Sequence, residues 1–160
     1  MPKFKGVKII AILCLVAFLF CGCNSFRLSS SIDDLISPIS PSGDNAGVQS
    51  AVDEYCKSGY SIKIPATGNY TTSFILKDID GDKINEAVAF YEPSNKVGTI
   101  SMAVIKKSGE RWSVIANVDG TATDVNSVDF CDFNNDGKME IIVCWSVVSK
   151  QTGTSINVYS

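Results

Sequence analysis

The order of apolar and polar positions divides the chain into four stretches. Val7 to Cys21 is almost wholly apolar (VKIIAILCLVAFLFC), behind a start that carries Lys3, Lys5 and Lys8. Residues 23–43 are polar and rich in Ser, with Pro38 and Pro41. Such a composition cannot bury a core and reads as a tether. Val48, Ala51, Val52 and Tyr55 then recur at helical spacing. They predict a short packing helix over 46–57 within a segment 44–59, capped by Asp44 or Asn45 and ended by Gly59. From residue 60 to 160 the apolar residues come in short runs broken by Gly, Asp and Asn, which is the pattern of strands and turns.

Within that last stretch one pattern occurs twice. DIDGDKINEAVAFY (78–91) and DFNNDGKMEIIVCW (132–145) lie 54 residues apart. Asp78, Asp80, Asp82 and Glu86 match Asp132, Asn134, Asp136 and Glu140, and the apolar runs AVAFY and IIVCW coincide. At the same offset Ser73-Phe74 aligns with Ser127-Val128, Leu76 with Phe130, and YSIKI (60–64) with VIANV (114–118). Downstream, GTISMAV (98–104) matches GTSINVY (153–159) with one extra residue in the second copy. Each unit reads as four strands: one into the acidic loop, a fully apolar one out of it, a loosely alternating third, and a fourth after the turn at Gly109. Four strands are the size of a propeller blade. The expected fold is therefore all-β with one short N-terminal helix, an incomplete β-propeller-like array of four-stranded repeats. The repeat region then holds the final strand of one unit, a full unit over about 65–118 and a partial unit over about 119–160. A propeller closes with about four to eight blades, so the count reads as a fragment, a truncated reading frame or a half that pairs with another chain. The competing reading is a small open sheet stabilised by its helix.

Composition narrows the chemistry. The chain has 14 basic and 17 acidic residues, and three of the basic ones lie within the first eight residues. No basic stripe remains, so no nucleic-acid partner is expected. There is no histidine, which removes the commonest general base at neutral pH and the commonest metal ligand. GxSxG, P-loop and GxGxxG motifs are absent. The expectation is not an enzyme.

The acidic loops carry the candidate chemistry. Calcium is a hard cation that takes about six to eight oxygens in flexible geometry. Side chains at loop positions 1, 3 and 5 curl onto one point, a backbone carbonyl joins at 7 and a further oxygen at 9. The candidate ligands are Asp78, Asp80, Asp82, the Ile84 carbonyl and Glu86, then Asp132, Asn134, Asp136, the Lys138 carbonyl and Glu140. Position 12 is Ala89 or Val143, where an EF-hand needs a bidentate Glu, and a strand follows instead of a helix. The expected cofactor is structural Ca2+, one ion per loop. The second loop is the better of the two, because position 6 favours Gly: it holds Gly137 there and the first loop holds Lys83. The competing reading is an Asp/Asn/Gly turn whose side chains bond backbone amides.

The pattern D-x-D/N-x-D-G-x-x-E followed by an apolar strand resembles the FG-GAP or VCBS-type repeat of integrin alpha-chain propellers and many bacterial surface proteins. The resemblance spans Tyr60 to Ser160. It implies a calcium-stapled β-propeller that acts as a binding or scaffold module.

The N-terminus reads as an address. A basic start before an apolar run is the layout of a bacterial secretory signal over 1–22. The run is shorter than the roughly 20 residues of a spanning helix. Its end, LFCGC, resembles a lipobox, with Gly22 before a lipidated Cys23; Phe20 departs from the usual Leu. Two acyl chains on one cysteine suffice for stable anchoring. The expected location is the extracytoplasmic face of the cell membrane, lipid-anchored, with an extracellular protein or glycan as partner. The order of lipobox, tether, helix and acidic loops resembles lipoproteins of Clostridia-like Gram-positive bacteria.

Cys56, Cys131 and Cys144 remain beyond Cys23. Hairpin pairing separates Cys131 from Cys144, so no bridge between them is expected, and Cys144 reads as a small buried residue. Trp112, Trp145 and Tyr91 read as packing. The alternative function, an accessory or catalytic part of a cell-wall or polysaccharide-active enzyme, requires a carboxylate pair such as Glu92 and Glu110 across a cleft. A truncated product without independent function is the third reading.

Overall fold

A computed structural model describes residues 43–120, 122–148 and 152–160. The expected signal, Cys23 and the tether through residue 42 lie outside them. One helix, α1 (Asp44–Tyr55), precedes eight strands: β1 (Tyr60–Lys63), β2 (Phe74–Lys77), β3 (Glu86–Pro93), β4 (Ile100–Ser108), β5 (Arg111–Gly120), β6 (Asp124–Cys131), β7 (Glu140–Val148) and β8 (Thr152–Tyr159). All pairings are antiparallel. β2-β3-β4-β5 is a four-stranded meander, β1 also pairs with β3, and β6-β7-β8 forms a second sheet.

β3 explains the first sheet. Its run Ala87 to Tyr91 is apolar at every position because both faces are covered. Ala87, Ala89 and Tyr91 face Val48, Ala51 and Val52 of α1, with Phe74, Ala103, Ile105 and Trp112 in the same cluster. Val88 and Phe90 point the other way, with Ile100 and Met102, into a core shared with Val125, Val128, Ile141, Val143 and Trp145 of the second sheet.

The repeat is visible in the pairing register. Phe74 pairs with Ala89 and Val128 with Val143; Ala87 pairs with Ile105 and Ile141 with Tyr159. All four correspondences keep the 54-residue offset. The extra residue expected in the third strand of the second copy is therefore not there, and Ile105 is the counterpart of Tyr159.

The stacking follows the same logic. Ile141, Val143 and Trp145 are the counterparts of Ala87, Ala89 and Tyr91. In the second sheet this face lies on the first sheet; in the first sheet it lies under α1. The helix thus covers the first sheet as the first sheet covers the second. The described residues are all-β with one helix, and their sheets stack head to tail in an incomplete propeller-like array.

Three expectations need correction. Tyr60–Lys63 is no final strand of another unit and no counterpart of β5: it pairs with β3 on the same edge as β2. The reason is length. β2 has four residues and covers only Glu86 to Ala89, which leaves this edge of Phe90 to Pro93 open for β1 to pair with. Next, α1 begins at Asp44, with Gly43 at φ 62° as its cap residue and no side-chain cap bond, and its cap residue at the other end is Cys56, before Gly59. Asp44 instead sits in the first turn, where a carboxylate suits the helix dipole, and ion-pairs with Lys107. Finally, Tyr55 is 51% exposed, because the buried face stops at Val52.

Among the described residues the three cysteines form no disulfide with one another: Cys131 is exposed, and Cys56 and Cys144 are half-buried. Burial raises the Cys56 thiol above its ordinary range. Cys144 is less apolar in its surroundings than expected, since Asn126 Nδ2 lies 3.7 Å from its sulfur. Trp112, Trp145 and Tyr91 are core residues. Among the described residues no helix is long and apolar enough to cross a membrane.

Candidate metal centre

The two acidic loops join β2 to β3 and β6 to β7, and they touch. Met139 N–H donates to the Ile79 carbonyl at 2.7 Å. The Gly81 backbone comes so close to the Gly137 carbonyl oxygen that a β-carbon on Gly81 would stand 2.5 Å from it.

Both loops are wound in one way. Positions 4 and 6 take positive φ: Gly81 (79°) and Lys83 (69°) in the first, Asn135 (60°) and Gly137 (86°) in the second. Each loop has one glycine for two left-handed positions, and the two loops place it differently. The side chains of positions 1, 3 and 5 hold the backbone. Asp78 accepts from Gly81 N–H at 2.8 Å and Lys83 N–H at 3.0 Å, and Asp132 accepts from Asp136 and Gly137 N–H at 3.1 and 2.9 Å. Asp80 and Asn134 accept from Asp82 and Asp136 N–H, and Asp82 and Asp136 accept from Ile84 and Lys138 N–H.

The closing glutamates differ from the other ligands. Glu86 is 2% exposed and Glu140 8% exposed, each at the first position of its strand. Glu86 accepts from Ile79 N–H at 3.0 Å, and Glu140 from Phe133 N–H at 2.9 Å. These bonds match the amide-bonding turn of the competing reading, and they leave further oxygen lone pairs on the same side chains.

Lys106 separates the loops. Its ammonium reaches from β4 into the first loop, where it contacts Asp80, Asp82 Oδ2 at 2.9 Å and Glu86 Oε1 at 3.1 Å. The bond to Asp80 foremost, then that to Asp82 and the contact with Glu86, hold Lys106 above the usual lysine range, and the bond from Lys106 is the first cause that holds Asp82 below the usual carboxylate range. Carboxylate oxygens of Asp78, Asp80 and Glu86 lie within 4.8 Å of one another. Among the described residues this is the one such cluster, so carboxylates converge in the first loop rather than the second. A cation explains the convergence, because carboxylates repel one another without one.

By donor type both loops fit a hard cation: the side chains they offer are oxygen donors throughout. Lys106 was absent from the expected site residues. Its signal is the β3–β4 register, which pairs Ala87 with Ile105 and brings the next residue, Lys106, beside Glu86.

The structure also tests the carboxylate pair of the enzyme reading. Glu92 lies near the end of β3 that pairs with the start of β4, and is ion-paired with Lys63. Glu110 is in the turn after β4, at the opposite end of the sheet. They share no cleft.

No curated protein and no solved structure matches the chain. Residues 78–143 match the family model of the FG-GAP-like repeat. The match begins on the first residue of the first loop and ends within β7, so the segment that holds both loops is similar to an FG-GAP-like repeat.

Proposed function

We propose that this protein is a membrane-anchored extracytoplasmic lipoprotein whose β repeats form a binding or scaffold module, with calcium as the structural ion of its acidic loops. The observation that carries the calcium reading is the pair of touching loops, wound alike and offering oxygen donors, at the corners of two stacked sheets. An ion there neutralises the carboxylates and fixes the strands on either side. Calcium on the order of millimolar outside the cell suffices even for a weak site of this kind. Anchoring rests on the lysine-flanked apolar run and Cys23. A binding role rather than catalysis is supported by the absence of histidine and the separation of Glu92 from Glu110. The proposed partner is an extracellular protein or glycan, not a nucleic acid.

Melting of the full chain in detergent, with calcium and with chelator, tests the ion. Calcium at about 100 times its Kd should add about 2.7 kcal/mol, a shift on the order of 10 °C. Asp132→Ala should remove the contribution of the second loop. Identical melting with calcium and with chelator overturns the calcium reading. Anchoring is tested separately by incorporation of labelled fatty acid in a bacterial host. Label should enter the parent chain and Cys21→Ser but not Cys23→Ser; a parent chain without label overturns the lipoprotein reading.

A further inference from the structure

We infer that Lys106 is the resident cation of the first loop, so that this loop is closed by an ammonium group and the calcium reading above narrows from both loops to the second. The second half of this inference rests on the calcium reading above; the first half does not.

The argument starts from Glu86. Its side chain is 2% exposed, and its Oε1 has no hydrogen-bond partner. A buried carboxylate oxygen needs a counter-charge. Lys106 Nζ supplies it at 3.1 Å, and the same ammonium meets Asp82 at 2.9 Å and Asp80. Lys106 thus donates hydrogen bonds to Asp80 and Asp82 and lies at ion-pair distance from the third carboxylate, Glu86, so one ammonium faces three carboxylates. The fourth carboxylate, Asp78, accepts from two backbone amides. Calcium bound to those oxygens at about 2.3–2.6 Å would share their lone pairs with an ammonium a few ångströms away. Two cations in that space repel, so ion and lysine exclude each other.

The repeat supplies the control. Ile105 and Tyr159 hold equivalent places in the two sheets, so the counterpart of Lys106 is Ser160. The serine side chain brings no positive charge. Ser160 lines a cavity of about 400 Å³ together with Asn134, Asp136 and Glu140. The carboxylates of the second loop are not drawn into a cluster like that of the first, as expected where no cation stands among them. One offset of 54 residues therefore relates a loop with a built-in cation to a loop without one.

Exchanging the two residues tests this. Calcium titration of the full chain in detergent should give one site in the parent and two in Lys106→Ser. Asp78→Ala should leave the parent at one and return Lys106→Ser to one. Ser160→Lys should take the parent from one site to none. A parent chain that loses a site on Asp78→Ala, or a Lys106→Ser chain that gains none, overturns the inference. A count of none in the parent and one in Lys106→Ser supports the role of Lys106 and refutes calcium in the second loop. Should Lys106→Ser be unfolded without metal, calcium should refold it and also Lys106→Gln, which keeps the stem without the charge. Failure of calcium to restore either variant overturns the inference.

Discussion

Trp145→Ala should lower the unfolding free energy by about 3–5 kcal/mol, the usual cost of removing a large buried aromatic side chain. Trp145 is 3% exposed and lies in the core shared by the two sheets. Its ring meets Phe90 edge to face at 5.7 Å and 83°, an arrangement worth about 0.5–1.5 kcal/mol beyond the area it buries. The neighbourhood has no room to collapse cheaply. Gly120 lies against the indole and has no side chain to move into the space: even an added β-carbon would only reach ordinary contact with the ring, at 3.4 Å. The loss is also directional. β6, β7 and β8 have one covered face and take their buried area from the first sheet, whereas β3 and β4 keep the cluster under α1. Denaturant unfolding should show the drop. Hydrogen exchange should show protection falling in β6–β8 before β3–β4, as for a cooperative unit that opens by itself. A loss under about 1 kcal/mol, typical of a surface change, would mean that the two sheets do not share this core.

The features that could be read from the sequence are those fixed by local chemistry. The 54-residue repeat shows because each loop needs carboxylates at fixed spacing and residues tolerant of positive φ. β3 and β7 show because a strand covered on both faces is apolar at every position. The placement of β1 could not be read in this way. YSIK is four residues long, and such a strand bonds whatever edge lies open; the open edge here exists because β2 is short. Lys106 was hidden for the same reason. It is 20 residues beyond Glu86 in sequence, and only the register of β3 with β4 brings them together. Glu86 and Glu140 read as the last ligand positions of their loops, and the structure places them as buried first residues of strands; sequence spacing does not report burial. Tyr55 fits the helical period, but the sheet beneath α1 ends before it.

Gly81→Ala should destabilise the chain by about 2–4 kcal/mol, while Gly137→Ala, at the same junction, should cost only on the order of 1 kcal/mol. Both glycines have positive φ, 79° and 86°, and a β-carbon in that region costs roughly 1–2 kcal/mol. Against this, any Gly→Ala change restricts the unfolded chain and returns about 0.4–1 kcal/mol. Those contributions are common to both positions, so the surroundings decide the difference. A β-carbon on Gly137 meets nothing within 4 Å. One on Gly81 would stand 2.5 Å from the Gly137 carbonyl oxygen, a backbone atom that cannot rotate aside. The loops must separate, and the bond from Met139 N–H to the Ile79 carbonyl, 2.7 Å long, is the first to stretch. Overpacking of this kind typically costs about 1–3 kcal/mol. Lys83 shows that the first loop tolerates a side chain at positive φ where space is open: it sits at φ 69° and is exposed. The first loop therefore needs its glycine at position 4, where the second loop comes closest, and not at position 6, where the ordinary preference would place it. Equal losses in the two variants, measured by denaturant unfolding, would show that the left-handed backbone alone sets the requirement and that the contact between the loops contributes nothing.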